Sequence, residues 1–183
     1  MDEHQLFMDY LKELQKETPR GAVILSGVVL GELLGKTLEN YLTDHKDVKG
    51  LLKGGVSAPL GSFYARILMA FGLRLIDETE YKNLTVIRKI RNHFAHNLKA
   101  SFDDQEVKDL CKLLDAPGMM PHATNTPAKK YNTVATLLAV ILAKRPYMSI
   151  GRRLGEPGWE DRVRKHIKRV FKNKRANSSD QES

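Results

Sequence analysis

Cysteine is almost missing: Cys111 is the single one among 183 residues, so no disulfide can form within the chain. A lone thiol suits a reducing compartment, and the position reads as a small apolar residue buried on a helix rather than a reactive group. Aromatic residues make up only 7%, so a core has to come from Leu, Ile, Val and Ala, a mixture that favours helices over sheets. The opening Met1-Asp2-Glu3-His4 has neither the basic start nor the apolar stretch of a signal peptide. The longest apolar runs, residues 22–34 and 134–143, fall short of a bilayer, and Glu32 interrupts the first. These absences point to a cytoplasmic protein with no membrane partner. Gly50 to Gly55 lack the Gly-Lys-Ser/Thr of a phosphate loop, no Ser-His-Asp order stands out, and no cofactor is expected.

What is present is ordinary for a globular chain: 42% hydrophobic and 28% charged residues, enough for one domain plus appendages. The net charge of +8 is uneven. Residues 1–150 hold 20 Lys and Arg against 17 Asp and Glu, and residues 151–183 hold 10 against 5. The tail therefore carries most of the surplus, which attracts phosphate-rich partners or simply solubilises a helix face.

Helical spacing dominates and predicts an all-α bundle of about five to six helices in residues 1–150. Leu6, Tyr10, Leu14 with Phe7 and Leu11 mark the first helix. Pro19 suits the first turn of a second, residues 20–45, with Val23, Leu30, Leu34, Leu38 and Leu42 inward. Residues 46–60 read as a loop. A third helix over 60–75 would turn Tyr64, Ile67, Leu68, Phe71 and Leu75 inward. Thr79 is a candidate cap for a fourth, with Leu84, Ile87, Ile90 and Phe94 inward and an end near His96-Asn97.

Ser101 or Asp103 would cap a fifth helix carrying Val107, Leu110, Cys111 and Leu114. Residues 115–127 read as an irregular crossing loop. A sixth helix, 128–144, would bury Val134, Leu137, Leu138 and Ile141 before Pro146 ends it. Residues 151–158 read as a linker to a basic amphipathic extension, 151–175, followed by a disordered tail, 176–183. In the extension Val163, Ile167, Val170 and Phe171 face one way. Arg162, Arg164, Lys165, Lys168, Arg169 and Lys172 face out as candidate nucleic-acid contacts, suited to phosphates rather than to base reading.

Polar chemistry is densest in Arg91-Asn92-His93-Phe94-Ala95-His96. A guanidinium grips a phosphate through a bidentate fork, and an imidazole exchanges protons near neutral pH. Cleaving RNA at its own 2′-hydroxyl needs such a pair and no metal. A regular helix sets residues five apart at about 140°, so Arg91 and His96 converge only at a helix end or across two paired chains. The structural alternative is that Arg91 pairs with an acid on a neighbouring helix and His96 and Asn97 cap the helix end. Glu32 is either a buried partner for Arg91 or a boundary residue. His93 and His96 are a weak metal pair, without a further ligand at the usual spacing.

Arg91-Asn92, three residues, then His96 resembles the Arg-Asn-x-x-x-His signature of HEPN domains. The resemblance implies a helical bundle, often dimeric, acting as a metal-independent endoribonuclease in toxin, defence or RNA-processing systems, or as an inactive binding module. Arg91, Asn92 and His96 would then be the catalytic set.

A longer resemblance spans roughly residues 20–115. Ala58-Pro59-Leu60-Gly61-Ser62-Phe63, Ile67-Leu68, Phe71-Gly72-Leu73, Ile76-Asp77 and Tyr81 are similar to the mannitol operon repressor (MtlR-like) family. That family implies a small helical transcriptional regulator acting through protein partners. The expectation is therefore an MtlR-like regulator, a homodimer working through protein contacts or non-specific RNA or DNA binding, with the endoribonuclease as the alternative.

Overall fold

A computed structural model describes residues 3–42, 44–53, 58–115 and 126–149, with side chains from residue 5 to 146 of these. The linker, the basic extension with its six candidate cations, and the serine-rich end lie outside the described residues. So does most of the crossing loop before the last helix.

The described residues are all-α, as the spacing predicts: α1 (Glu3–Leu14), α2 (Pro19–Tyr41), α3 (Lys46–Gly50), α4 (Phe63–Gly72), α5 (Glu78–His96), α6 (Gln105–Lys112) and α7 (Pro127–Ser149). Helix α2 is the hub and packs against α1, α4, α5 and α7. It starts where the sequence says, with Thr18 Oγ1 accepting from Gly21 N and Pro19 in the first turn. It is longer than its apolar run suggests. By length and composition it is able to cross a membrane, yet 67% of its apolar window is buried inside the bundle.

The packing of α2 depends on glycine. Gly27, Gly31 and Gly35 recur every four residues and form one smooth stripe. A Cβ at Gly31 would lie 3.4 Å from the Phe63 ring, and one at Gly35 would lie 3.1 Å from the Arg66 guanidinium. Helix α4 therefore approaches α2 through Phe63 and Arg66. Arg66 Nε donates to Leu60 O (2.9 Å), and Nη1 donates to Gly31 O (2.8 Å) and Glu32 Oε1 (2.9 Å). Glu32 is thus the partner of Arg66, not of Arg91.

This close approach rotates α4 away from the expected orientation. Ile67, Ala70 and the following Leu75 are buried, whereas Tyr64, Leu68 and Phe71 are exposed. The buried arc is displaced by roughly one residue step, about 100°, from the most apolar stripe. The chain then reverses through Arg74, at φ 55, where Leu75 N donates to Ala70 O.

Caps and ends differ from expectation in instructive ways. Residues 46–50 form the short helix α3 rather than continuing the loop, capped by His45 Nδ1, which accepts from Asp47 N. Asp77, not Thr79, caps α5: Asp77 Oδ1 accepts from Glu80 N, and Glu80 Oε2 accepts from Asp77 N. Asp104, not Ser101 or Asp103, precedes α6. Pro146 lies inside α7 and does not end it. The expected inward residues of α5 (Leu84, Ile87, Ile90, Phe94) are buried, as are Val107, Cys111 and Leu114. In α7, Val134 and Leu138 are buried while Leu137 and Ile141 are only half-buried; Tyr131, Ala135, Ala139 and Leu142 complete the core face.

Candidate functional site

The C-terminal half of α5 carries the polar motif. Its inward residues Ile90 and Phe94 bracket Arg91 and fix which way each neighbour points. Arg91 lies one step round toward α2, its stem crossing the stripe so closely that a Cβ at Gly27 would meet Arg91 Cγ at 2.9 Å. Its Nη1 donates to Asn92 Oδ1 (3.0 Å), and its Nε is buried with no hydrogen-bond partner. Among the described residues no carboxylate pairs with Arg91, so the expected clasp to a neighbouring acid is not formed.

His96 is exposed at the last helical position. Asn92, His93, His96 and Glu106 help to line a shallow open groove of about 630 Å³ between α5 and α6. Arg91 does not line that groove. The fold thus brings Asn92 and His96 to one surface and leaves Arg91 on the other side of Asn92, as the 140° separation requires.

The helix end is held by groups the motif does not name. His93 Nε2 lies 3.1 Å from Asp104 Oδ2, and His93 Nδ1 lies 3.2 Å from Glu106 Oε2, which ties α5 to α6. The Ser101 backbone N–H and the His93 ring hold the Asp104 carboxyl below its ordinary value. Asp104 Oδ2 accepts from Ser101 N and meets the His93 ring, and the side chain makes no cap hydrogen bond to its own helix. Asn97, after the last turn, donates its backbone N–H to His93 O. Arg20 Nη1 donates to Asn97 O (2.7 Å) and Leu98 O (3.1 Å), neutralising the negative end of α5. Capping of this end therefore rests on Arg20 and the Asn97 backbone, not on His96. Cys111 is buried, and burial pushes its thiol up to about 11, as befits an inert packing residue.

Two further features escaped the sequence reading. Arg88, one turn before Arg91, stacks over the Tyr64 ring at 4.5 Å. The exposed residues Tyr64, Leu68 and Phe71 form one stripe along α4, and Phe71 stacks on Tyr81 with ring centroids 4.3 Å apart. The glycine spacing on α2 is the sequence signal that would have shown how α4 must turn.

The fold has a solved likeness. The X-ray structure of the MtlR–HPr complex from Escherichia coli matches with a TM-score of 0.54 and 20% identity, over 80% of this chain and 99% of that one. The fold is MtlR-like. At this identity the likeness extends to the arrangement of helices and no further. No family model matches the chain, and no curated protein matches it.

Proposed function

We propose that the chain is an MtlR-like regulatory protein that acts through protein contacts, with the outer face of α4 as its docking surface. The observation that carries this is the orientation of α4. Tyr64, Leu68 and Phe71 are 37–45% exposed along one stripe, on a fold shared with a protein solved in complex with HPr. A helix this apolar normally turns its richest stripe inward, and an exposed apolar stripe marks an interaction surface. A small protein such as HPr is the first partner to try. Transcriptional control would follow from the partner's capture, and the six cations from Arg162 to Lys172 would add phosphate contacts without base specificity.

Leu68 sits at the middle of the stripe. Titration calorimetry of HPr into the full chain should give saturable binding, and Leu68→Asp should weaken it by at least about tenfold, the weight of a central interface residue. A wild-type chain that gives no heat with HPr removes HPr as the partner. A Leu68→Asp chain that binds as well as wild type removes α4 as the docking face.

A second reading, the metal-independent endoribonuclease, is favoured by the exposure of His96 and by the absence of a carboxylate on Arg91 among the described residues. In it His96 takes the 2′ proton, the freed 2′ oxygen attacks phosphorus, the bond from phosphorus to the 5′ oxygen breaks, and a protonated His96 of the second copy gives the leaving 5′ oxygen its proton. Arg91 holds the phosphate and Asn92 orients it, with a second copy of the chain supplying the group that one helix face cannot. Incubation with single-stranded RNA in excess chelator should then show cleavage, reduced about a hundredfold or more in His96→Ala. Equal cleavage by both chains, or none by either, counts against it.

A further inference from the structure

Arg88 and Arg91 stand out among the charged groups of the fold. Arg66 donates to two carbonyls and a carboxylate, and Arg145 meets Glu80. By contrast, among the described residues neither Arg88, over the Tyr64 ring, nor Arg91, on the Asn92 amide, meets a carboxylate, and the Nε of each is buried without a hydrogen-bond partner. Both are half-buried. A half-buried cation with no counter-charge is costly; the Nε atoms are closed to solvent, so it is the Nη groups that an anion from outside would meet.

Their setting sharpens the requirement. On α5 they are three residues apart, so they lie side by side about one turn apart along the helix. The Arg88 guanidinium carbon lies over the Tyr64 ring, 4.5 Å from its centroid, which leaves the two Nη groups as donors for paired oxygens. From Tyr81 to Phe102 the chain carries Lys82, Arg88, Lys89, Arg91 and Lys99 and not one Asp or Glu. Among the described residues, acids on the neighbouring elements pair elsewhere: Glu32 with Arg66, and Asp104 and Glu106 with His93. The side of α5 that bears Arg88 and Arg91 therefore has cations and no acid of its own, while the His93–Asp104–Glu106 cluster lies on the groove side of Asn92.

We propose that Arg88 and Arg91 form a phosphate-receiving pair that binds the backbone of single-stranded nucleic acid along α5. Neither guanidinium protrudes freely, so a flexible strand reaches them and a stiff duplex does not. The Tyr64 ring edge, 45% exposed beside Arg88, offers a surface for a neighbouring base. The proposal shares Arg91 with the endoribonuclease reading but needs no cleavage, and it shares Tyr64 with the α4 docking surface; Leu68→Asp, which leaves Tyr64, Arg88 and Arg91 in place, should lose HPr and keep the oligouridylate.

The test is fluorescence anisotropy of a labelled oligouridylate with the full chain. It is repeated in a full-length variant whose cations Arg162, Arg164, Lys165, Lys168, Arg169 and Lys172 are all Gln. In both backgrounds Arg88→Met, which keeps the stem on Tyr64, and Arg91→Met should each weaken binding about tenfold, the loss of one charge-assisted contact. Each should also lower the salt slope by about 0.7, the value per phosphate on a single strand. Lys12→Gln, an exposed cation on α1 outside this pair, should bind as the wild type does, which separates the pair from a general effect of charge. The proposal is overturned if the oligouridylate does not bind, if binding follows the tail cations and ignores Arg88 and Arg91, or if duplex DNA of the same length binds equally well. Circular dichroism confirms that each variant is as helical as wild type. If Arg88→Met is not, Arg88→Lys replaces it; that variant should keep most of the salt slope yet lose affinity, and wild-type affinity there would equally sink the idea.

Discussion

Phe94→Ala should cost about 3–5 kcal/mol of stability, the usual range for emptying a buried aromatic site. Phe94 is 1% exposed, and its ring begins a series that runs from α5 to α7. Its centroid lies 5.1 Å from that of Phe102, which lies 5.7 Å from Tyr131 on α7, and Tyr131 Oη donates to Val23 O on α2 at 3.3 Å. Three elements meet through these rings, and tilted aromatic pairs add to the burial they share. Because a domain has only about 5–15 kcal/mol in total, the variant would stand near the folding threshold. Urea unfolding reads this as a lower midpoint with an unchanged slope. A loss below about 1 kcal/mol would mean that the neighbours collapse into the site and that the rings are not the joint they seem geometrically. The substitution also bears on function, since Phe94 lies between Arg91 and His96 and its burial sets the rotation of both.

Glu80→Ala should have an effect of similar size, about 3–5 kcal/mol, because it strips a buried ion pair of one member. Glu80 is 6% exposed, closes the capping box on Asp77 N, and meets Arg145 of α7. Arg145 Nε already lacks a partner, so the variant leaves a half-buried cation with little compensation. The pH dependence follows from burial, the largest influence on this carboxyl, which raises it above its ordinary value of 4.5; the Asp77 N–H and Arg145 pull the other way and do not prevail. A raised folded value means that the native state holds this proton more tightly than the unfolded chain. Its stabilising share is therefore fully present below 4.5 and is lost as pH rises through the folded value. Glu80→Gln keeps an acceptor for Asp77 N and does not ionise. The stability of wild type relative to Glu80→Gln should decline as pH rises from 4.5 and then level off. A difference that grows with pH would show that Arg145 outweighs desolvation.

Both substitutions fall on α5, the helix that was most legible in the sequence. Its inward set from Leu84 to Phe94 and its end at His96 follow from an apolar period of 3.6 that nothing contradicts. Its start was misplaced by two residues, because Thr79 and Asp77 are both good caps and only the reciprocal bond with Glu80 separates them. The same reasoning succeeded only in part on α4: of its expected inward set Ile67 and Leu75 are buried, whereas Tyr64, Leu68 and Phe71 face out.

Local pattern was enough to determine six of the seven helices among the described residues, though not the short α3, the end of α2 at Tyr41 or the run of α7 past Pro146; it also gave the lone buried cysteine and the 140° that separates Arg91 from His96. Those features depend on neighbours within a turn or two. Tertiary structure alone decided which stripe of α4 is covered, that Glu32 answers Arg66, that His93 bridges Asp104 and Glu106, and that Arg88 and Arg91 go without an acid. Each of these depends on how closely one helix approaches another. Here that approach is set by the bare backbone at Gly27, Gly31 and Gly35, which lets Arg91, Phe63 and Arg66 lie where side chains of α2 would otherwise stand.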